Sequence, residues 1–230
     1  MPNTTNFNWS TPADTDLVKN GASAIRTLGS AIDTSFVDFK GGTTGQVLKK
    51  TSNTDLDVEW GTASSGLTLI NTTSFSAVAS QAVTPVFSAT YENYRVLIRI
   101  TAQQTTNGDH YLRMRSGATD DTGGNYFSGG YLTRFNAGTI GAFNQNAGTF
   151  YRLGDGITTA TGIYYVLDIL SPFLAQKTGI SLKGASEDAT YSYAVAKDGI
   201  HNLTTSYDGY NIITSAGTFS GKVSTYGYNF

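Results

Sequence analysis

Few side chains in this sequence of 230 residues have the chemistry that catalysis needs. The chain has two histidines, His110 and His201, and no cysteine. Asp109 precedes His110 at a predicted junction between a loop and a strand, where a solvated turn explains both residues more simply than a catalytic pair does. A hydrolase also needs a nucleophile held beside a base, and no G-x-S-x-G sequence is present. The histidines therefore give no support to an enzyme.

Carboxylates offer two further kinds of site. Asp120 and Asp121, together with Asp109, could supply the oxygen ligands that calcium prefers, but a turn rich in Asp and Gly accounts for them without an ion. Glycosidases need two carboxylates at a set separation. The few glutamates are all expected at the surface: Glu59, Glu92 and Glu187. We therefore predict that the chain is not an enzyme, has no catalytic residue or metal site, and needs no cofactor.

Composition narrows the function classes further. Hydrophobic residues make up 39% of the chain and charged residues 14%, so neutral polar groups must cover much of the surface. The net charge is −2 and no basic stripe stands out, which argues against a nucleic-acid partner. No window is long and apolar enough to span a membrane, and the N-terminus lacks the pattern of a signal peptide.

One long helix is predicted at the N-terminal end of the chain. It starts at Thr11-Pro12 and runs through residue 39. Thr is a suitable N-cap, Pro suits the first helical position, and Gly41-Gly42 provides a stop. Apolar residues form a wide stripe with a polar back. The stripe residues that we predict to be buried in a homotrimer are Val18, Ile25, Leu28, Ile32, Phe36 and Phe39.

Two interpretations of this stripe remain open at the sequence level. β-Branched residues at the seam with wide apolar flanks favour three self-associating helices. The alternative is that the stripe packs on the β-domain of its own chain. Glycines and small residues weaken the isolated helix, so that it is expected to form only when packed.

A short hairpin is predicted after the helix, in "GGTTGQVLKKTSNTDLDVEWGTASSG". Val47, Leu48 and Lys49 form one strand, and "TSNTD" has turn chemistry. Leu56, Val58 and Trp60 alternate with acidic residues, which indicates a half-buried second strand. Since a lone hairpin is barely stable, we expect it to form a collar in the trimer, with "GTASSG" as a flexible hinge.

Together, these two N-terminal elements resemble the N-terminal region of tailed-bacteriophage fibre and minor structural proteins. In that family a short segment with Trp leads into an Ala-rich helix and then a G-x-x-G-Q-V-L-x-K hairpin that ends in Trp. The resemblance covers about residues 7–61 and implies a virion protein, assembled in the host cytoplasm and attached by its N-terminus, with Phe7 and Trp9 as attachment residues. The match rests on Trp9, Pro12, Asp16, Leu17, Gly21, Ile25, Leu28, Gly45, Gln46, Val47, Leu48 and Trp60.

The remainder of the chain has the pattern of an antiparallel β-sandwich or jelly roll, and it looks like β-sandwich domains of the same class of virion proteins. Tyr94, Val96, Ile98 and Ile100 alternate on one face of a strand, as do Leu112 and Met114 on another. "GIYYVLDIL" is apolar enough for a central strand, and Pro85 indicates an edge strand or a bulge. We predict about eight to ten strands, separated by loops rich in Gly, Asn and Thr.

Four arginines lie on predicted strands of this domain. Arg95 and Arg99 share one strand face, and Arg113 and Arg115 share another. We expect these side chains to face acidic partners or a seam between subunits, rather than to form a receptor patch.

The sequence therefore predicts a mainly β protein: residues 1–40 form an attachment segment and trimerising helix, 41–65 a hairpin collar and hinge, and 66–230 a sandwich head. We expect a homotrimeric tail-fibre protein whose partners are other tail, baseplate or capsid proteins and a host-surface glycan. A capsid-decoration or baseplate protein without a host-binding role is the alternative. Candidate receptor contacts lie in predicted loops 125–131, 136–148 and 201–210: Tyr126, Tyr131, Phe143, Tyr207 and Tyr210.

Overall fold

The computed structural model describes residues 2–63, 66–104, 108–156 and 162–229. The chain divides into two compact units, Met1–Ser64 and Ser65–Phe230, which we call the N-terminal unit and the head. The mainly β fold with one N-terminal helix and antiparallel sheets is confirmed. Within the described residues, no helix has the length and apolar character needed to cross a membrane.

The N-terminal helix is shorter than its sequence pattern predicts. Helix α1 spans Gly21–Ser35, with single 3₁₀ turns at Val18–Asn20 and Val37–Phe39. The predicted start at Thr11-Pro12 is wrong. Asp16 accepts a hydrogen bond from the Ala13 N–H, and Leu17 has extended backbone angles, so a local Asp turn competes with the helix.

The segment before α1 folds back onto the end of the helix. The Trp9 indole N–H donates to Ser35 Oγ at 3.0 Å. The Trp9 ring stacks on Phe7 at 4.9 Å and contacts Phe36 at 6.1 Å, and Phe36 in turn packs on Phe39. The predicted attachment residues and two of the predicted seam residues thus form one aromatic cluster.

The apolar stripe of α1 is only partly covered within the N-terminal unit. Ala24 is buried and lies close to Ser10 of the preceding segment, and Leu28 is half-buried. Ile25 and Ile32 remain 65% and 37% exposed. Among the described residues of this unit, Ala24 is the only buried hydrophobic residue, so the unit has no core of its own.

The hairpin follows in the same unit, although the sequence places it in a segment separate from the helix. Strands β1 (Gln46–Lys50) and β2 (Val58–Thr62) pair antiparallel, with Leu48 opposite Trp60. Gly42 has a φ of +85°, and a Cβ there would lie 2.7 Å from the Trp60 ring, so only glycine fits. The predicted hinge begins inside β2, and its Ser64 and Ser65 lie outside the described residues.

The head contains thirteen further strands in the described residues, more than the sequence predicts, because Gly- and Asn-rich segments expected as loops pair in sheets. The strands are β3 (Leu67–Val78), β4 (Ser80–Val83), β5 (Asn93–Gln103), β6 (His110–Ser116), β7 (Thr119–Asp120), β8 (Tyr126–Arg134), β9 (Ile140–Gly148), β10 (Tyr151–Gly154), β11 (Ile163–Leu170), β12 (Thr178–Glu187), β13 (Ser192–His201), β14 (Gly209–Thr214) and β15 (Phe219–Tyr228).

These strands form two antiparallel sheets. The larger sheet has eight strands in the order β3-β15-β5-β11-β12-β13-β8-β9, so the apolar strand β11 is central, as predicted. The smaller sheet has the order β10-β6-β14-β4, with β7 paired to the end of β6. Pro85 lies two residues after the end of β4, an edge strand. One contiguous core takes side chains from both sheets and includes the predicted Tyr94, Val96, Ile98, Ile100, Leu112 and Met114.

A buried polar chain joins the two sheets through this core. His110 Nδ1 lies 2.9 Å from the Tyr165 hydroxyl, and His110 Nε2 lies 3.0 Å from Gln103 Oε1. Gln103 Nε2 donates to Thr214 Oγ1 and to the Ala216 carbonyl. Strands β6 and β14 of the smaller sheet are thereby linked to β5 and β11 of the larger one.

The hydrogen-bond partners determine which nitrogen of His110 carries the proton and how the Gln103 amide is oriented. A carbonyl oxygen only accepts, so the Gln103 amide nitrogen must face Ala216 and its oxygen must face His110. Nε2 of His110 therefore carries the proton, and Nδ1 accepts from the Tyr165 hydroxyl. Burial lowers the pKa of His110 to about 4, which keeps the imidazole neutral near pH 7. The prediction that His110 lies in a solvated turn is wrong.

Lys197 is a second unusual group in the core, since it is only 2% exposed. Its ammonium lies 3.8 Å from the centre of the Phe143 ring and donates to the carbonyls of Arg152 and Leu153 at 3.3 and 3.5 Å. Burial, followed by the charge of Arg152, lowers the pKa of Lys197 to about 7. The folded head thus holds this charge at a cost in stability.

Replacing Lys197 by methionine is expected to raise the free energy of unfolding of the head by about 1–4 kcal/mol at pH 6. The folded pKa is about 7 and the ordinary value is 10.5. Between them the unfolded chain binds more protons, so the wild-type head gains stability as pH rises through this range and the variant does not. Denaturant unfolding at pH 6 and pH 9 measures the difference.

The matched control for this prediction is Lys177→Met, which alters an exposed lysine of the head. The control should leave stability unchanged within about 0.5 kcal/mol at both pH values. A less stable Lys197→Met head at pH 6 would show that the hydrogen bonds and the ring contact outweigh the cost of burying the charge.

Candidate functional site

A shallow groove crosses the outer face of the eight-stranded sheet at β13, β8 and β9. Its floor is Gly129 of β8, which pairs with Asp198 of β13 on one side and with Asn144 of β9 on the other. The groove consists of two adjoining hollows of about 640 and 670 Å³ that share these three residues. A bare backbone floor thus lies between two polar side chains.

Two polar side chains of the groove, those of Asp198 and Asn144, are free to bind a ligand. Asp198 and Asn144 are both exposed, and no side-chain hydrogen bond or ion pair joins them to any other residue in the described part of the chain. A carboxylate accepts hydrogen bonds and an amide both donates and accepts. The pair can therefore hold hydroxyl groups of a ligand from both sides of the floor.

Apolar side chains border the groove at both ends. Tyr131, 62% exposed, lies two residues along β8 from the floor, between the small Ala142 and Ala196 of the neighbouring strands. Phe127 and Ile200 pair with each other at the opposite end. An exposed tyrosine offers an apolar ring face and a hydroxyl to one ligand, so the arrangement suits a saccharide.

The five aromatic residues predicted to contact a receptor differ in their exposure and position. Tyr131 and Phe143 both line the groove, but Tyr131 is exposed, whereas Phe143 is half-buried and its ring covers the Lys197 ammonium. The predictions for Tyr126, Tyr207 and Tyr210 are wrong, because all three are buried in the core. Their hydroxyl groups have internal partners, which satisfies the polar end of each buried ring.

Two of the three predicted receptor loops are strands. Residues 126–134 form β8 and residues 140–148 form β9, whereas 202–208 connect β13 to β14. Strand pairing places Gly129, Asn144 and Asp198 in one row. Gly129 and Asn144 lie within two of the predicted ranges, 125–131 and 136–148, but were not predicted as contact residues, and Asp198 lies outside all three ranges. Alternation within "NYFSGGYL" was the available signal, but it does not show which of its two faces turns outward.

The carboxylates considered for calcium have three separate sets of partners. Asp120 pairs with Arg115 and accepts from the Asn211 amide. Asp121 pairs with the buried His201. Although burial of Asp121 opposes ionisation, hydrogen bonds from Gly123, Asn125 and His201 lower its pKa. In the part of the chain that the structure describes, no group of three such residues is arranged to hold a metal ion.

Asp109 belongs to a third cluster, in which Arg152 pairs with both Asp109 and Asp155. Burial and a hydrogen bond with Asp109 raise the pKa of Asp155 to about 6. The guanidinium joins β10 to the start of β6, which is a structural role. Residues 105–107, which precede Asp109 in the chain, and residues 157–161, which follow Asp155, lie outside the described residues.

The four predicted arginines divide into paired and unpaired side chains. Arg95 forms two hydrogen bonds of 2.8 Å to Asp168, and Arg115 pairs with Asp120. Arg113 donates to the Thr149 carbonyl. Arg99 forms no ion pair with any described residue. The expectation of acidic partners thus holds for Arg95 and Arg115 only.

No model of a known protein family matches the chain, and no curated protein matches it.

Proposed function

We propose that this chain is a structural protein of a tailed-bacteriophage particle, a homotrimeric tail-fibre protein that binds the host surface. The N-terminal unit attaches the protein to the virion and assembles three copies. The head binds a host-surface glycan in the groove of β8, β9 and β13. The resemblance of residues 7–61 to phage fibre proteins supports the virion assignment.

The host-binding proposal rests on one observation: Asp198 and Asn144, whose side chains have no partners among the described residues, lie on either side of Gly129. A glycan presents many hydroxyl groups and an apolar ring face. The two polar side chains match the hydroxyl groups, and Tyr131 matches the ring face. A capsid-decoration protein needs no such free groups on its head, so the groove favours the adhesin.

Replacing Gly129 by valine is expected to weaken glycan binding at least about tenfold while the head stays folded. A Cβ at Gly129 meets only the Phe143 carbonyl oxygen, at 3.7 Å, so the side chain enters the groove without displacing the backbone. Its methyl groups then occupy the floor between the two polar residues. A glycan array followed by titration with the best ligand, using full-length protein, measures the effect.

Gly141→Val is the matched control, because a Cβ there meets only the Leu132 carbonyl oxygen at 3.9 Å and the residue lies outside the groove. The control should bind as the wild type does. Equal affinity of the Gly129→Val protein would remove the groove as the receptor site. A wild-type protein that binds phage particles but no glycan and no host cell would support the decoration protein instead.

A further inference from the structure

A second hollow, of about 370 Å³, lies on the outer face of the same sheet, at β15, β5 and β11. Its lining is mainly apolar in the middle and basic at one side. The side chains that matter are those of Leu97, Arg99, Tyr164, Val166 and Lys222. We propose that this hollow binds an acidic saccharide, one that carries a carboxylate or a phosphate group.

Positively charged side chains without acidic partners lie in the hollow and at its edge. Lys222, Arg99 and Tyr164 lie side by side in one row across three strands. In the next row, Lys183 of β12 pairs with Val166 at the edge of the hollow. All three cationic side chains are exposed, and none has an ion-pair partner in the described residues. A ligand with a negative group would supply the missing charge.

Arg95, on the same face of the sheet, is an arginine that does have an acidic partner. It lies four residues from Arg99 along β5 and holds Asp168 of β11 through two hydrogen bonds. Opposite Arg99, β11 carries Tyr164 in place of a carboxylate. The guanidinium fork of Arg99 is thus free for bidentate binding of a carboxylate or phosphate.

The apolar part of the hollow points to a sugar rather than a free anion. Tyr164 is 50% exposed, and Leu97 and Val166 continue the apolar surface beside it. A sugar ring can pack on this surface while its acidic group reaches Arg99 and Lys222. An inorganic anion would use the charges alone and leave the apolar surface in contact with water.

The hollow is separate from the groove, since β5 and β8 are four strand spacings apart, or about 19 Å. As a second site for host glycans it rests on the proposed host-binding function. Its variants leave Gly129, Asp198 and Asn144 unchanged, so either site can fail while the other holds.

The test is titration calorimetry of the full-length protein with three probes: trigalacturonic acid for the carboxylate, mannose 6-phosphate for the phosphate, and maltotriose as a neutral sugar. We expect at least one acidic probe to bind more tightly than maltotriose, with an affinity that falls as salt is added. The double variant Arg99→Gln/Lys222→Gln should weaken that binding at least about tenfold. Comparison of the two acidic probes identifies the group that is recognised.

Lys177→Gln is the matched control, because it removes one exposed charge of the head away from the hollow and should bind as the wild type does. Thermal unfolding of each variant checks that the head remains folded. Equal affinity of the double variant, or no binding of either acidic probe by the wild type, would overturn the proposal. A changed oligomeric state of the double variant would instead identify this face as an interface between copies, and would also overturn it.

Discussion

Replacing His110 by alanine should lower the free energy of unfolding of the head by about 3–5 kcal/mol at pH 7. The imidazole is fully buried, so its removal leaves a cavity. It also leaves the Tyr165 hydroxyl and the Gln103 amide oxygen without their partner in the link between the sheets. Denaturant unfolding followed by circular dichroism measures the loss.

The difference in free energy of unfolding between the wild type and the His110→Ala variant should also depend on pH. The pKa of His110 is about 4 in the folded head and ordinarily 6.5, so the unfolded chain binds more protons between these values. The stabilising contribution of the neutral imidazole is present above pH 6.5 and is lost as pH falls through 4. The difference between wild type and variant should therefore shrink by roughly 3 kcal/mol from pH 7 to pH 4.

Tyr165→Phe is the control that keeps the core filled. It removes one hydroxyl, and we expect a loss of about 1–3 kcal/mol because His110 Nδ1 then has no donor. The double variant should lose less than the sum of the two single variants, since they share one interaction. Additive losses would show that the hydrogen bond between these residues contributes nothing measurable.

The second large effect concerns assembly. Wild-type protein at micromolar concentration should have a mass in light scattering of three times the chain mass of 24.5 kDa. Ile25→Asp/Ile32→Asp should raise the dissociation constant at least about 100-fold and give monomers. The reason is that each carboxylate would be buried in the apolar seam without a partner, which costs several kcal/mol.

Thr27→Asp is the matched control, since Thr27 is exposed on the opposite side of α1. It introduces the same charge and should remain trimeric. If the double variant also stays trimeric, α1 is not the main source of assembly and the head must trimerise by itself. A monomeric wild type would contradict the homotrimer directly.

Alternation of residue types was sufficient to predict much of the head. Val96, Ile98 and Ile100 repeat at every second position, and because that period belongs to strands alone, their burial followed. The order of the strands in the sheets could not be predicted in this way, because it depends on which strand edges meet after the chain has collapsed. The pairing of β5 with β11 and β15 has no local signal in the sequence.

The candidate sites were harder to predict than the fold. Tyr126 and Tyr131 occur in one strand with similar neighbours, yet odd and even positions face opposite sides and only Tyr131 is exposed. Gly129 has no side chain to mark it as a binding residue. Its role depends on Asp198, 69 positions away, which strand pairing brings beside it. Arg99 likewise stands out only after Arg95 is seen to be paired.

The placement of the aromatic residues gives the two units separate optical signals. Both tryptophans, Trp9 and Trp60, belong to the N-terminal unit, whereas all 14 tyrosines belong to the head. Trp9 contacts Phe36 beside the proposed seam, so its fluorescence should change when copies associate. Burial raises the pKa of Tyr165 and Tyr210 well above the ordinary value, so they ionise only when the head opens. Tryptophan emission and tyrosine absorbance in alkali thus follow association and head unfolding in one unlabelled sample.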